Sequence, residues 1–219
     1  MPSKIAPIQK KIIEYLSAHK KLKIGVLGTH DTGKTTLAFS LCSKLKGKHL
    51  FVGFVEESVR ECPFPINQMT NFLSQYWILN KQIIDEIEKH ERYNVIVTDR
   101  TTIDNYAYAL RASKMGKISK GDLEILRIKS QHWAKTYNFL FYAKIPKKKL
   151  EDDGFRDTTK QFQMEIDQII KELIQDWNLE VTELDGTNDE RLELAEDYID
   201  SIFESSKDKG HQTDIMQFT

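Results

Sequence analysis

Residues 22–45, LKIGVLGTHDTGKTTLAFSLCSKL, decide the fold. Ile24-Gly25-Val26-Leu27 is a short apolar run of strand type, and Thr36 to Leu45 has the character of a helix. Between them lies Gly28-Thr29-His30-Asp31-Thr32-Gly33-Lys34-Thr35, which fits the phosphate-binding pattern G-x-x-x-x-G-K-S/T. Gly28 and Gly33 allow backbone turns that a side chain would obstruct. The loop N–H groups then face inward around an anion, aided by the positive end of the following helix. Lys34 is placed to reach the outer phosphates, the Thr35 hydroxyl to bind Mg²⁺, and Thr36 to continue the cradle into the helix. A chance glycine turn would not carry a strand and a helix on the correct sides.

The chain has 219 residues, enough for one domain with a sizeable core, expected to span 1–219 with a helical leader at 1–20. A formal net charge of -1 argues against a strongly basic nucleic-acid binder. Charged residues at 30% and hydrophobic residues at 40% suit a soluble globular protein. No apolar run is long enough for a bilayer, and MPSKIAPIQKK lacks the apolar core of a secretion signal. Cys42 and Cys62 form no C-x-x-C pair, which argues against a metal site or disulfide framework and fits a reducing cytoplasm.

Ile5, Ile8, Ile12, Ile13 and Leu16 have the spacing of an amphipathic leader helix. Leu50 to Val55 is a second, near-continuously apolar strand, as expected where both faces are covered. Polar residues begin abruptly behind it, Glu56-Glu57-Ser58-Val59-Arg60-Glu61, at the sheet edge where the phosphate loop also opens. Glu57 and Arg60, three apart, share a face on a helical turn. They suit either an acceptor contact, with a carboxylate to take a hydroxyl proton and a guanidinium to hold an anion, or a solvated ion pair. A long helix is expected over Asn67 to Arg92. Its Phe72, Gln75, Tyr76 and Trp77 either pack in the core or line a pocket for a flat base. Tyr93 to Thr98 forms a third strand ending in Asp99-Arg100. An acid there is the usual partner of a phosphate loop, reaching Mg²⁺ directly or through water. Asp104, Tyr106 and Tyr108 on the helix that follows suit packing and capping as well as substrate contact.

A helix over Leu123 to Tyr137 leads to a fourth strand, Phe139 to Ile145. Glu151-Asp152-Asp153-Gly154-Phe155-Arg156-Asp157 then has the composition of a mobile lid. Arg156 either swings toward the transferring phosphate or pairs with Asp153 or Asp157 at the surface. A helix over Lys160 to Trp177, a short strand over Leu179 to Leu184 and a last helix over Asp189 to Phe203 complete the core 21–203, leaving 204–219 as a frayed tail.

Five apolar strands alternating with helices specify a three-layer α/β sandwich around a parallel sheet. GTHDTGKTTL, EESVRE, TDRTTIDNYAY and GFRDTTKQFQMEIDQIIKEL resemble the P-loop kinases. The chain is most similar to AAA-labelled ATPase and kinase domains like the bacterial nicotinamide ribonucleoside kinase, and more distantly to deoxynucleoside and thymidylate kinases. The resemblance covers Leu22 to Ile202. It implies a P-loop NTPase sandwich with a five-stranded parallel sheet in the order 2-3-1-4-5, ATP as donor and Mg²⁺ as cofactor. Lys34, Asp99, Arg156 and Glu57 would be catalytic, Thr35 and Asp99 would hold the metal, and residues 28–36 would hold the nucleotide. Glu57, Arg60, Arg100 and Tyr76 would meet the acceptor. One departure is the lid, where Arg156 is the only arginine between Arg127 and Arg191. The implied partners are ATP and a small-molecule acceptor, with no membrane or nucleic acid; a homodimer is compatible. A regulatory NTPase that only hydrolyses its nucleotide is the rival class. A GTPase switch is disfavoured, because Asp99-Arg100-Thr101-Thr102 lacks the glycine of D-x-x-G and Asn80-Lys81-Gln82-Ile83 lacks the Asp of N-K-x-D.

Overall fold

Five parallel strands form one sheet, in the order β2-β3-β1-β4-β5 expected from the resemblance. The structure is a computed structural model. It describes residues 21–48, 50–146 and 157–210, apart from side chains in 157–159 and 202–210. The leader at 5–18, the basic run 147–149, the lid up to Arg156 and the chain beyond 210 lie outside the described residues. The strands are β1 (Leu22–Leu27), β2 (Val52–Val55), β3 (Val95–Asp99), β4 (Phe139–Ala143) and β5 (Thr182–Leu184). The helices are α1 (Lys34–Gly47), α2 (Phe72–Arg92), α3 (Thr102–Lys114), α4 (Lys120–Ala134), α5 (Asp157–Asp176) and α6 (Asn188–Gly210).

The central strand β1 is buried at all six positions because helices cover both sheet faces. On one face Ile24 and Val26 meet Leu37 and Leu41 of α1 and Ala195 and Ile199 of α6. On the other, Leu27, Leu140 and Tyr142 meet Leu79 of α2, Ile103 and Ala107 of α3, Leu126 of α4, and Ile166 and Ile170 of α5. Pairing of Val26 with Asp99 and with Phe141 brings the carboxyl ends of β1, β3 and β4 to one edge.

Several boundaries differ from the sequence expectation, for local reasons. The helix expected from Asn67 begins at Phe72. Asn71 and Ser74 form a capping box, so Asn67–Met69 is left as a separate short turn. The fifth strand loses Leu179 to Val181, because the left-handed Asn178 ends α5 and Leu179 N–H donates back to Ile174 O at 3.0 Å. The last helix runs to Gly210 rather than Phe203. Apolar periodicity reports packing, not helicity, so a polar extension escapes it.

Candidate active site

The loop after β1 adopts its shape because two glycines sit where side chains cannot. Gly28 has φ 146°, and a Cβ there would lie 2.7 Å from the Ala143 carbonyl oxygen. Gly33, at φ 79°, turns the chain into α1. Three contacts brace the loop. The Thr32 hydroxyl donates to Thr29 O at 3.0 Å. Asp104 accepts from Gly28 N–H at 2.8 Å through one oxygen. Its other oxygen accepts from the Thr101 N–H at 2.8 Å and the Thr101 hydroxyl at 2.7 Å, capping α3. Arg191 of α6, fully buried, donates to Thr32 O at 2.6 Å and to Lys144 O at 2.8 Å. It thereby ties the loop to the end of β4. The two long-range braces were not expected from the sequence: the Thr101/Asp104 capping box is legible there, but the reach of Asp104 to Gly28 and the role of Arg191 are not.

Lys34 is buried, and its ammonium donates to Thr29 O. Burial and the neighbouring Arg100 lower its pKa to about 8, against the pull of Asp104, Asp99 and Glu57. The Thr35 hydroxyl donates to Asp99 Oδ2 at 2.6 Å. Asp99 Oδ1 is buried without a hydrogen-bond partner. Burial raises the Asp99 pKa, with the Thr35 hydrogen bond and Lys34 opposing it. An orphaned carboxylate oxygen beside a hydroxyl, at the mouth of a phosphate loop, fits Mg²⁺, which takes few protein ligands and completes its shell with phosphate oxygens and water. Among the described residues no cluster of three or more His, Cys, Asp or Glu could hold a metal by itself.

A cavity of about 370 Å³ opens beside the loop, with Glu57, Gln75, Arg100, Asn105, Tyr108 and Phe162 in its wall. Glu57 and Arg100 come together here, 43 residues apart in sequence, as a carboxylate accepting from the guanidinium Nε. Arg100 has φ 78°, a strained conformation for a residue with a side chain, and its carbonyl accepts from Gln82 at 3.3 Å. The Arg100 Nη1 is buried with no partner. Gln75 donates to the Thr70 hydroxyl at 2.7 Å and accepts from Asn105 Nδ2 at 3.1 Å, leaving Asn105 Oδ1 unpaired. The His30 ring of the loop packs against Phe162, centroids 5.1 Å apart and planes tilted by 33°, and shares a hydrogen bond with the Tyr108 hydroxyl at 3.2 Å. Its carbonyl accepts from Gln163 at 2.7 Å, which docks α5 on the loop.

Two residues expected near the acceptor lie elsewhere. Arg60 is exposed, and Glu57 pairs with Arg100 instead. Tyr76 sits on the outer side of α2, against Phe72 at 5.3 Å and under the Lys129 ammonium at 4.8 Å, outside the cavity lining. Asp31, Thr35 and Thr36 are exposed at the loop and the start of α1, while Thr29 and Thr32 are buried supports. Gln75, one of the pocket candidates on the long helix, does line the cavity, and Asn105 and Phe162 join it on tertiary grounds.

A family profile described as an AAA domain matches residues 23–191. No curated protein matches the chain in sequence. Among solved structures the chain is similar to a deoxyadenosine kinase from M. mycoides bound to dCMP and dCDP, at 14% identity and a TM-score of 0.61. That match covers 82% of this chain and 100% of the other. A thymidylate kinase from Ehrlichia chaffeensis is similar at 14% identity and a TM-score of 0.57, over 80% of this chain and 97% of that one. NadR in complex with NAD and AMP-PNP is similar at 17% identity and a TM-score of 0.55, over 82% of this chain and 49% of that one. These likenesses give the chain the fold of the P-loop kinases.

Proposed function

The chain belongs to the AAA domain family, and from that membership we propose that it is a kinase transferring the terminal phosphoryl group of ATP to a hydroxyl of a nucleoside or related small metabolite. The observation that carries the reading is the Glu57 carboxylate, oriented by Arg100, in the wall of a cavity that shares His30 and Asp31 with the phosphate loop. A hydroxyl is a weak nucleophile and gains from a carboxylate that takes its proton. An acceptor phosphate needs cations instead. The carboxyl groups in the lining, Asp31, Glu57 and Asp104, outnumber its one guanidinium, Arg100, and Arg60 is not part of it. The volume, about 370 Å³, lies within the range of small-molecule sites, and the paired amides of Gln75 and Asn105 beside the Tyr108 ring suit a flat polar group.

The transfer assigns each residue a task. The loop N–H groups and Lys34 hold the outer phosphates of ATP and offset charge on the oxygens of the transferring group. Thr35 and Asp99 would hold Mg²⁺, which when bound neutralises phosphate charge. Glu57 accepts the acceptor proton as the oxygen–phosphorus bond forms and the bond to the ADP oxygen breaks. Arg156 is assigned to stabilising the transferring group from the lid. The two free cysteines support a cytoplasmic setting.

The test is phosphoryl transfer from ATP over a panel of nucleosides, nucleotides and ribosylated cofactors. A phosphorylated nucleoside or ribosylated cofactor is the expected product. ADP release with no phosphorylated acceptor would favour a nucleotide hydrolase instead.

A further inference from the structure

The inner face of α2 buries Ile78 and Leu79, but it also buries Gln75, Gln82 and Glu86, polar residues at helical spacing. Glu86 is fixed from three sides, accepting from Lys23 of β1 at 2.9 Å, from Trp133 of α4 at 2.6 Å and from Tyr137 in the turn behind α4 at 2.5 Å. Gln82, one helical turn earlier, uses its amide N–H2 twice. It donates to Glu86 Oε1 at 2.8 Å and to the Arg100 carbonyl at 3.3 Å. A carboxylate and a carbonyl can only accept, so the orientation of this amide is set. Arg100 needs such a hold. It stands between Asp99, the last residue of β3, and Thr101, the N-cap of α3, at φ 78°. A residue with a side chain stays in that conformation only where its surroundings over-determine it. The Arg100 N–H donates to Val26 O at 3.0 Å, so the sheet holds one side of the residue and Gln82 the other.

We propose that Gln82 is a positioning residue for the transfer: anchored on Glu86, it holds the strained Arg100 backbone, and through Arg100 it holds the Glu57 carboxylate toward the acceptor. The inference rests on the assignment of Glu57 as the proton acceptor. Backbone angles set where Cβ points, so the left-handed conformation of Arg100 aims its guanidinium, whose Nε donates to Glu57. Relaxation of Arg100 to an ordinary φ would swing that side chain away. Gln82 lies in the cavity wall yet is only 3% exposed, so it offers a substrate little surface of its own. Burying an amide is costly unless its hydrogen bonds are made, and both bonds from this N–H2 go to groups that lead toward the site. The order Glu86, Gln82, Arg100, Glu57 thus carries position, with no proton moved, from a buried ion pair to the cavity mouth.

The test sets Gln82→Met, close in volume and without a donor, against the unmodified full chain. The Arg100 Nε–H signal in a nitrogen-15 NMR spectrum, assigned by its loss in Arg100→Lys, is expected to exchange with solvent about 10-fold faster or more in Gln82→Met. That readout needs no acceptor. With the best acceptor from the panel, Gln82→Met is expected to lower kcat about 10-fold or more and to leave the KM for ATP within about twofold. In the Glu57→Gln background the same change should alter kcat by less than about twofold, because a positioning residue is silent once the group it positions is gone. Gln82→Asn keeps an amide in the wall but is one methylene too short to reach both acceptors. It is expected to behave as Gln82→Met does, and it decides the matter if circular dichroism shows the methionine variant unfolded. Unchanged exchange of the Arg100 Nε–H, or a full-sized loss of kcat in the Glu57→Gln background, would overturn the proposal. An undiminished kcat in Glu57→Gln alone would instead remove the proton-acceptor reading, with the exchange rate still deciding whether Gln82 holds Arg100.

Discussion

Lys34 links the acidity of one buried group to nucleotide binding. Burial and Arg100 bring its pKa to about 8, so its ammonium is charged below that pH and neutral above it. Phosphates bind the charged form. Affinity for an ATP analogue should therefore be complete below pH 8 and fall as pH rises, with Kd growing about tenfold per unit beyond it. Calorimetric titration from about pH 7 to about pH 9 checks this. A flat profile would remove the ammonium from the phosphates. Glu57 and Arg60 give a second residue-scale prediction. Glu57→Gln should lower kcat by about 100-fold or more with little change in acceptor KM. Exposed Arg60→Ala should leave both within about twofold. The reverse pattern, a raised KM for Arg60→Ala, would indicate an acceptor phosphate. The sequence suggested that Glu57 and Arg60 share a helical face. Glu57 instead has extended backbone at φ -62°, ψ 114°, just ahead of the short turn Ser58–Glu61, which leaves its side chain to Arg100.

At the scale of elements, the phosphate loop is held by helices that follow it far along the chain. Asp104 caps α3 with one oxygen and anchors the loop with the other. Asp104→Ala removes both, and should cost about 2–3 kcal/mol of stability while raising the KM for ATP. Urea unfolding and ATP titration of the same variant separate the two effects. Loss of stability with unchanged ATP affinity would confine Asp104 to capping. The capping box Thr101-x-x-Asp104 is visible in the sequence because it is local. The Gly28 contact spans 76 residues and that of Arg191 to Thr32 spans 159. No pattern within a segment reports either.

At the scale of the molecule, one buried polar network connects the sheet to α2 and α4. The Lys23 ammonium on β1 lies 2.9 Å from Glu86, which also accepts from Trp133 at 2.6 Å, Tyr137 at 2.5 Å and Gln82 at 2.8 Å. Burial lowers the Lys23 pKa, and Glu86 opposes that shift. Glu86→Ala would strand a buried ammonium and should cost about 3–5 kcal/mol in chemical denaturation. Pairing it with Lys23→Met should recover much of that loss. A double variant that loses the sum of the two single changes would show that the pair acts independently.

The sequence by itself determined the strand–loop–helix at 22–45, the alternation that makes the sheet parallel, and the acid ending β3. Each is a property of one continuous segment: a glycine pattern, an apolar period, or a polar residue where an apolar run stops. A parallel sheet then brings the ends of all its strands to one edge, which is why Lys34, Thr35, Glu57, Asp99 and Arg100 were legible as neighbours. Tertiary structure alone decided which of them pair. Register sets Val26 beside Asp99, and the break at Asn71 rotates Gln75 into the cavity and Tyr76 away from it. Charge complementarity is satisfied by any nearby partner, so the choice of Arg100 over Arg60 for Glu57 rests on backbone geometry that local sequence does not encode.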